Sequence, residues 1–373
     1  MMYISRLLVV LLSVNLSFSF KIKKAEINPT LIVNQIEDNF DIHSDLQKDY
    51  LDNEDYTDLK NIAQGVEELS KPRDLIISFD TQNDESLTLN NYYVDLSKDS
   101  DFSIYKRVDT KEKEAHFINL EKGTTYYYRV IADYEELDIT SDIYSFTTAN
   151  IGPRNLTIDG VTNVRDLGGY IVGDGKRVKQ NQIYRNGRLN VSWQRQTVPQ
   201  FTPQGKEEIE EYMKLKTEID LRRTDLNEPS LISRSVLGED INYIDCLMSY
   251  DEKNFYIENK ASIKAAFNVL SNKEYYPISF HCDIGTDRTG ALSYMLLGLL
   301  GVDVKDLEID YLFSNFGNIG SARIVEHIRE RVNYFDTLPG DNLSSRIRYY
   351  LKRIVGINED RIDAFISNMI EEF

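Results

Sequence analysis

The chain has 373 residues, 43 Lys and Arg against 61 Asp and Glu, and a formal charge of −18. Such an acidic chain lacks the cations that a nucleic-acid backbone or an anionic lipid surface requires. Its 41% hydrophobic and 28% charged residues belong to a folded globular protein of about two domains. Two cysteines, Cys246 and Cys282, and four dispersed histidines argue against a disulfide framework, a structural zinc or another metal cofactor.

Residues 1–19 read as a signal peptide. Arg6 supplies the charged start, Leu7 to Leu12 form an apolar run, and small residues lead to a cut near Ser19. The expected location is the secretory-pathway lumen or the exterior. The alternative is an uncleaved membrane anchor, although the run is shorter than the about 20 apolar residues of a spanning helix. No second stretch reaches that length, so no integral span is expected after signal removal. Sequons at Asn155, Asn190 and Asn342 permit glycosylation in a eukaryotic secretory route.

Most of the negative charge falls before residue 150. Residues 20–70 form an acidic, partly helical segment: Leu51, Leu59, Ile62, Val66 and Leu69 recur at helical spacing, predicting one or two short helices. Over 71–149 the period changes. Leu75, Ile77 and Phe79 alternate, then Tyr93, Asp95 and Ser97, then Tyr126, Tyr128 and Val130, which predicts an all-β antiparallel sandwich closed by a strand over 143–147. The run Leu120-Glu-Lys-Gly-Thr-Thr-Tyr126 resembles the fibronectin type III pattern, in which the tyrosine bonds back to the preceding turn. Such a module serves adhesion or substrate positioning, or is a plain spacer.

A linker near Gly152-Pro153 leads into 155–373. There, helices over 207–216 and 259–270 alternate with short buried strands over 218–221, 242–246 and 278–282, predicting an α/β domain with a mainly parallel central sheet and an all-helical end over 343–373.

The chemistry concentrates in His281-Cys-Asp-Ile-Gly-Thr-Asp-Arg-Thr-Gly290, between an apolar strand and an apolar helix. A loop at a helix N-terminus offers unpaired N–H groups and a positive field. Five residues separate Cys282 from Arg288, enough for the backbone of Asp283, Ile284, Gly285 and Thr286, with Thr289 and Gly290, to curl round one tetrahedral oxyanion while the guanidinium clamps it. The field favours a thiolate at Cys282. Gly285 permits the turn, His281 can fix the strand-to-loop transition, and Thr289 can donate its hydroxyl to the thiolate.

This spacing resembles the His-Cys-x5-Arg-Thr signature of cysteine-dependent phosphatases. Asn163-Val-Arg-Asp-Leu-Gly-Gly169 resembles the opening motif of the bacterial-type tyrosine and dual-specificity phosphatase family, some members of which are secreted and accept phosphoinositides. Ile183-Tyr-Arg-Asn-Gly-Arg-Leu189, Ile219-Asp-Leu-Arg222, and Asp310-Tyr311 with Ser314-Asn315 follow in the family's order. The resemblance covers about residues 155–370. It implies a phosphorylated protein substrate, a cysteinyl-phosphate on Cys282, Arg288 as clamp, Asp287 as leaving-group acid with Asp220 as second choice, and no cofactor or metal. Arg165 and Asp166 would organise the loop, with Arg222 in support. Lipid-active relatives usually carry Lys where this chain has Thr286. The ten residues 281–290 hold one Arg and two Asp, which favours phosphotyrosine over a polyanionic inositol headgroup. The rival readings are a pseudophosphatase that only binds phospho-ligands and a rhodanese-type sulfurtransferase. Cys246 ends one predicted strand as Cys282 ends another, so a reversible disulfide between them would follow if those strands were neighbours; an inert buried thiol is the alternative.

Overall fold

The computed structural model describes residues 29–59, 62–173, 175–189, 201–222, 234–250 and 253–373. The expected signal peptide and the Asn190 sequon lie outside them. Among the described residues, no helix is long and apolar enough to cross a membrane.

Two antiparallel sheets form the N-terminal unit. The first strand is β1 (Thr30–Val33), and helix α1 (Asp45–Leu51) follows it; then come β2 (Leu75–Gln82), β3 (Leu89–Ser97), β4 (Tyr105–Thr110), β5 (Glu114–Phe117), β6 (Thr125–Tyr134), β7 (Asp138–Thr140) and β8 (Tyr144–Thr147). The sheets run β1-β2-β5 and β4-β3-β6-β7, with β8 also on β6. Strand alternation puts Ile77, Val94, Tyr128 and Val130 between them, each fully buried. At about 1.5–3 kcal/mol per large apolar side chain, this burial is what holds the sheets together. Tyr126 Oη accepts the N–H of Glu121 at 2.9 Å, the corner expected from the sequence. On β3 the inward face is Tyr92, Val94 and Leu96, not Tyr93, Asp95 and Ser97. An irregularity between Leu89 and Asn91 resets the phase, and both sets alternate equally well in sequence.

The acidic segment does not stand apart. Its β1 is an edge strand of the sandwich, so that unit starts well before residue 71. Among its described residues only 45–51 is α-helical, opened by a capping box between Ser44 and Gln47. Residues 62–69 stay irregular because a neighbouring loop satisfies their backbone: Gly65 N–H donates to the Asn315 carbonyl, Gly65 O accepts from Ile319 and Gly320, and Leu69 N–H donates to Phe316. Tyr50, Leu59 and Ala63 belong to the core of the C-terminal unit.

That unit contains β9 (Arg154–Asn155), β10 (Arg165–Asp166), β11 (Ile171–Gly173), β12 (Lys176–Val178), β13 (Ile183–Asn186), α2 (Pro203–Glu208), β14 (Thr217–Asp220), β15 (Asn242–Asp245), α3 (Phe255–Glu258), α4 (Lys260–Leu270), β16 (Ile278–His281), α5 (Asp287–Leu300), α6 (Val304–Leu312), α7 (Val325–Val332), α8 (Leu343–Tyr349), α9 (Glu359–Met369) and β17 (Ile370–Glu372). The central sheet runs β15-β14-β16-β13-β10-β9. Its first four strands are parallel and the last two antiparallel. Helix α5 is apolar on nearly every side, and all its residues are buried. Two boundaries differ from the sequence reading. Thr202 caps a helix with Pro203 in its first turn, so α2 starts earlier than residue 207. The C-terminus is not all helical: β17 pairs with β12.

Candidate active site

Parallel strands deliver their C-terminal ends to one edge of the sheet, where ligand sites of α/β domains form. His281 ends β16 there, level with Asn186 of β13 and Asp220 of β14. Cys282 follows, buried, and α5 begins at Asp287.

The loop between them is held from outside. The Cys282 carbonyl faces His281 Nδ1 at 3.2 Å. The Asp283 carbonyl accepts the Arg188 N–H at 3.0 Å. The Ile284 carbonyl accepts from Asn163 Nδ2 at 3.0 Å, and the Gly285 carbonyl from Arg185 Nη2 at 2.7 Å. Turning four successive carbonyls outward turns the N–H groups toward the space the loop encloses, the geometry of an anion-binding nest at a helix N-terminus. Gly285 has φ 68°, and a Cβ there would strike the Asn186 carbonyl. A Cβ on Gly290 would reach the Tyr311 ring at 2.8 Å. Arg288 is buried on the first turn of α5.

Buried charges brace this loop. Asp310 on α6 pairs with Arg185 and, at 3.2 Å, with Arg165. Arg165 donates to Asn163 Oδ1 at 2.8 Å and to Ser314 at 3.1 Å, so it acts on the loop through Asn163. Asp166 does not share that task. It points the other way, to Arg154 at 2.7 Å and to the N–H groups of Gly168 and Asn181.

Asp287 is enclosed by cations. Arg323 reaches both its oxygens, at 3.1 and 3.0 Å, and Arg331 lies at 3.6 Å. The hydroxyls of Tyr311 and Tyr250 donate at 3.2 and 3.3 Å. Burial alone would raise its pKa, but these partners outweigh burial and hold the carboxyl below its ordinary value. At rest Asp287 is a carboxylate.

On the other side, Asp220 is gripped by Arg222 through Nε at 2.9 Å and through Nη2, and Tyr243 donates to it at 2.8 Å. Burial pushes its pKa up, yet His281 and Arg222 bring it down to about 2. A carboxyl so acidic is a brace and not a proton donor.

Three further expectations are corrected. The Thr289 hydroxyl is buried with no hydrogen-bond partner among the described residues, so it does not bond the Cys282 sulfur. Thr286 is fully buried and accepts from Asn163 at 3.2 Å, so it does not line the mouth of the loop. Cys246 cannot bridge to Cys282: β14 lies between their strands, a separation of about 9–10 Å against the about 7 Å a disulfide allows. Both thiols are free, and burial, with Asp245 and Asp220, pushes the Cys246 thiol up to about 12. The loop's own count of one Arg and two Asp also misleads, because Arg188 lies 3.6 Å from Asp283 and Arg323 covers Asp287.

Sequence reading gave no role to Asn163, Arg185, Arg188, Glu218, Asp310 or Arg323. Asn163, Arg185, Arg188 and Asp310 lie inside the matched motifs, which was the available signal. Glu218, buried mid-strand, and Arg323, in a polar loop, carry no local one.

The sheet and the loop define an α/β domain built to hold an anion against a cysteine. The tyrosine phosphatase family matches residues 156–373, more than half of the chain, and the chain belongs to that family. A Cupriavidus necator protein provisionally described as a tyrosine-protein phosphatase is 25% identical over 191 residues; the match covers 45% of this chain and 65% of that protein. Among solved structures, the core catalytic domain of the PP-IP phosphatase SIW14 from S. cerevisiae, in complex with citrate, is 18% identical, with 44% of this chain and 87% of that one covered and a TM-score of 0.28. A second structure of the Siw14 catalytic core is 17% identical, covers 54% and 97%, and has a TM-score of 0.31.

Proposed function

We propose that this protein hydrolyses protein phosphotyrosine through a cysteinyl-phosphate. Cys282 Sγ attacks phosphorus, forming the S–P bond as the P–O bond to the phenol breaks. The loop N–H groups and Arg288 bear the charge on the equatorial oxygens. Asp287 gives the phenolate its proton; the bound phosphate dianion, set beside the carboxylate, raises the Asp287 pKa enough for it to carry one. Water then attacks phosphorus, giving a proton to the Asp287 carboxylate, and the S–P bond breaks to release phosphate and the Cys282 thiolate. No step uses a metal. The observation that carries this reading is the nest of outward-turned carbonyls round Cys282. Phosphotyrosine is favoured over a polyanionic headgroup because the neighbouring cations Arg188, Arg222 and Arg323 each face a carboxylate.

The test measures purified protein on an aryl phosphate, then on phosphotyrosine peptide, phosphoserine peptide and phosphoinositides. Wild type is expected to prefer the phosphotyrosine peptide and to be unaffected by EDTA, and Cys282→Ser is expected to be inactive, since a hydroxyl stays protonated where a thiolate forms. No turnover of any phosphate by wild type would point to a pseudophosphatase. Faster turnover of phosphoinositide than of peptide would replace the substrate.

The same proposal takes the sandwich as fibronectin type III-like, supported by its strand order and the Tyr126 corner. It takes residues 1–19 as a secretion signal that places the enzyme outside the cytosol.

A further inference from the structure

Glu218 sits in the middle of β14, almost fully buried, where its neighbour Ile219 packs in the apolar core. An ionised carboxylate left alone there would be costly. Its oxygens are both engaged: Oε2 accepts the Ser235 hydroxyl, and Oε1 lies 2.8 Å from His281 Nε2. The other ring nitrogen, Nδ1, faces the Cys282 carbonyl at 3.2 Å and Asp220 Oδ1 at 3.9 Å. His281 is fully buried.

A neutral imidazole has one donor and one acceptor nitrogen. Here both nitrogens meet acceptors only: a carboxylate on one side, a carbonyl and a second carboxylate on the other. A ring with hydrogen on both nitrogens satisfies the two contacts at once. We propose that Glu218 is a positioning residue of the phosphate loop, holding His281 as an imidazolium that fixes the Cys282 carbonyl and favours the thiolate one residue away. The inference rests on Cys282 being the nucleophile.

The surrounding charges agree. On β14, Glu218 and Asp220 face the ring. Arg222 opposes its charge but is tied to Asp220, and Tyr243 on β15 donates to Asp220. Asp245 stands at the end of β15, the next strand. Burial pushes the His281 pKa down, and Asp220 and Glu218 outweigh burial and bring it above its ordinary value. Asp220 alone would leave Nε2 without a partner, so Glu218 is what commits the ring to the charged form.

Two measurements test this without turnover, so they stand or fall separately from the choice of substrate. In the first, the pH dependence of Cys282 alkylation by iodoacetamide is compared between wild type and Glu218→Gln in a Cys246→Ser background. The amide keeps the shape and removes the charge. The midpoint is expected to rise by about one pH unit, a tenfold loss of thiolate below it. In the second, the wild-type His281 ring is followed by NMR and is expected to stay doubly protonated above pH 7.5. An unchanged alkylation midpoint overturns the proposal. So does a wild-type His281 that is neutral at pH 7, a result that requires no variant to fold.

Discussion

Strand β6 of the sandwich and strand β14 of the phosphatase domain are both buried, but they bury different things. Along β6, Tyr126, Tyr128, Val130 and Ala132 turn inward at every second position, while Tyr127, Arg129 and Ile131 are partly exposed. Along β14, Thr217, Glu218, Ile219 and Asp220 are buried without alternation. The sandwich does hide one carboxylate, Asp95, but under arginines at the surface: Arg107 at 2.7 Å and Arg129 at 3.0 Å, both partly open to water. In the phosphatase domain buried Asp310 meets two arginines that are themselves buried, Arg165 and Arg185. A sheet that only has to fold can follow its hydrophobic period. The central sheet of the C-terminal unit keeps charged side chains in its interior, and each needs a partner.

The sharpest way to strain this contrast is Asp310→Asn. It leaves two buried guanidiniums sharing an uncharged amide. A loss of about 3–5 kcal/mol is expected in urea unfolding, together with reduced aryl-phosphatase activity, because Arg185 holds the Gly285 carbonyl. A variant within about 0.5 kcal/mol of wild type would mean that these arginines find other partners.

Asp95→Asn is the matching change in the sandwich. Arg107 and Arg129 can turn to solvent, so about 1 kcal/mol is expected, with kcat and KM unchanged. A tenfold fall in kcat would join the two units functionally and erase the distinction.

Lys122 tests the border between them with the smallest effect at neutral pH. It leaves the sandwich to lie buried over the Tyr170 ring at 4.3 Å, bonded to the Gly152 carbonyl. Burial lowers its pKa to about 8, against the pull of Asp306 and Asp166. Between pH 8 and the ordinary lysine value the unfolded chain binds the extra proton, so stability rises with pH there. Relative to Lys122→Met, wild type should gain at most about 3 kcal/mol from pH 7.5 to 10.5. A stability difference independent of pH would show that the amine reaches water.

The contrast also explains what could be read in the sequence. Strands β2 and β6 were legible because their period is their packing. The β16–loop–α5 unit was legible because Cys282, Gly285 and Arg288 meet through adjacent residues. The braces were not. Glu218 and His281 meet across two parallel strands, and Arg323 returns to Asp287 from beyond α6. Topology sets those encounters, and no local period records them. The sequence places Asp287 beside Arg288 but does not record its resting charge, since Arg323 and Arg331 decide it. Likewise β17 borrows its geometry from β12.

The path of the chain between the two units has a mechanical meaning. It builds β1 in the sandwich, crosses to put Tyr50 5.6 Å from the Phe313 ring and Glu68 against Thr162, returns for β2, and crosses again at Arg154. Two bodies stitched by three passes of one thread cannot swing about a single hinge. The sandwich is therefore held at a set angle to the Cys282 loop, as two boards are held by crossed pegs.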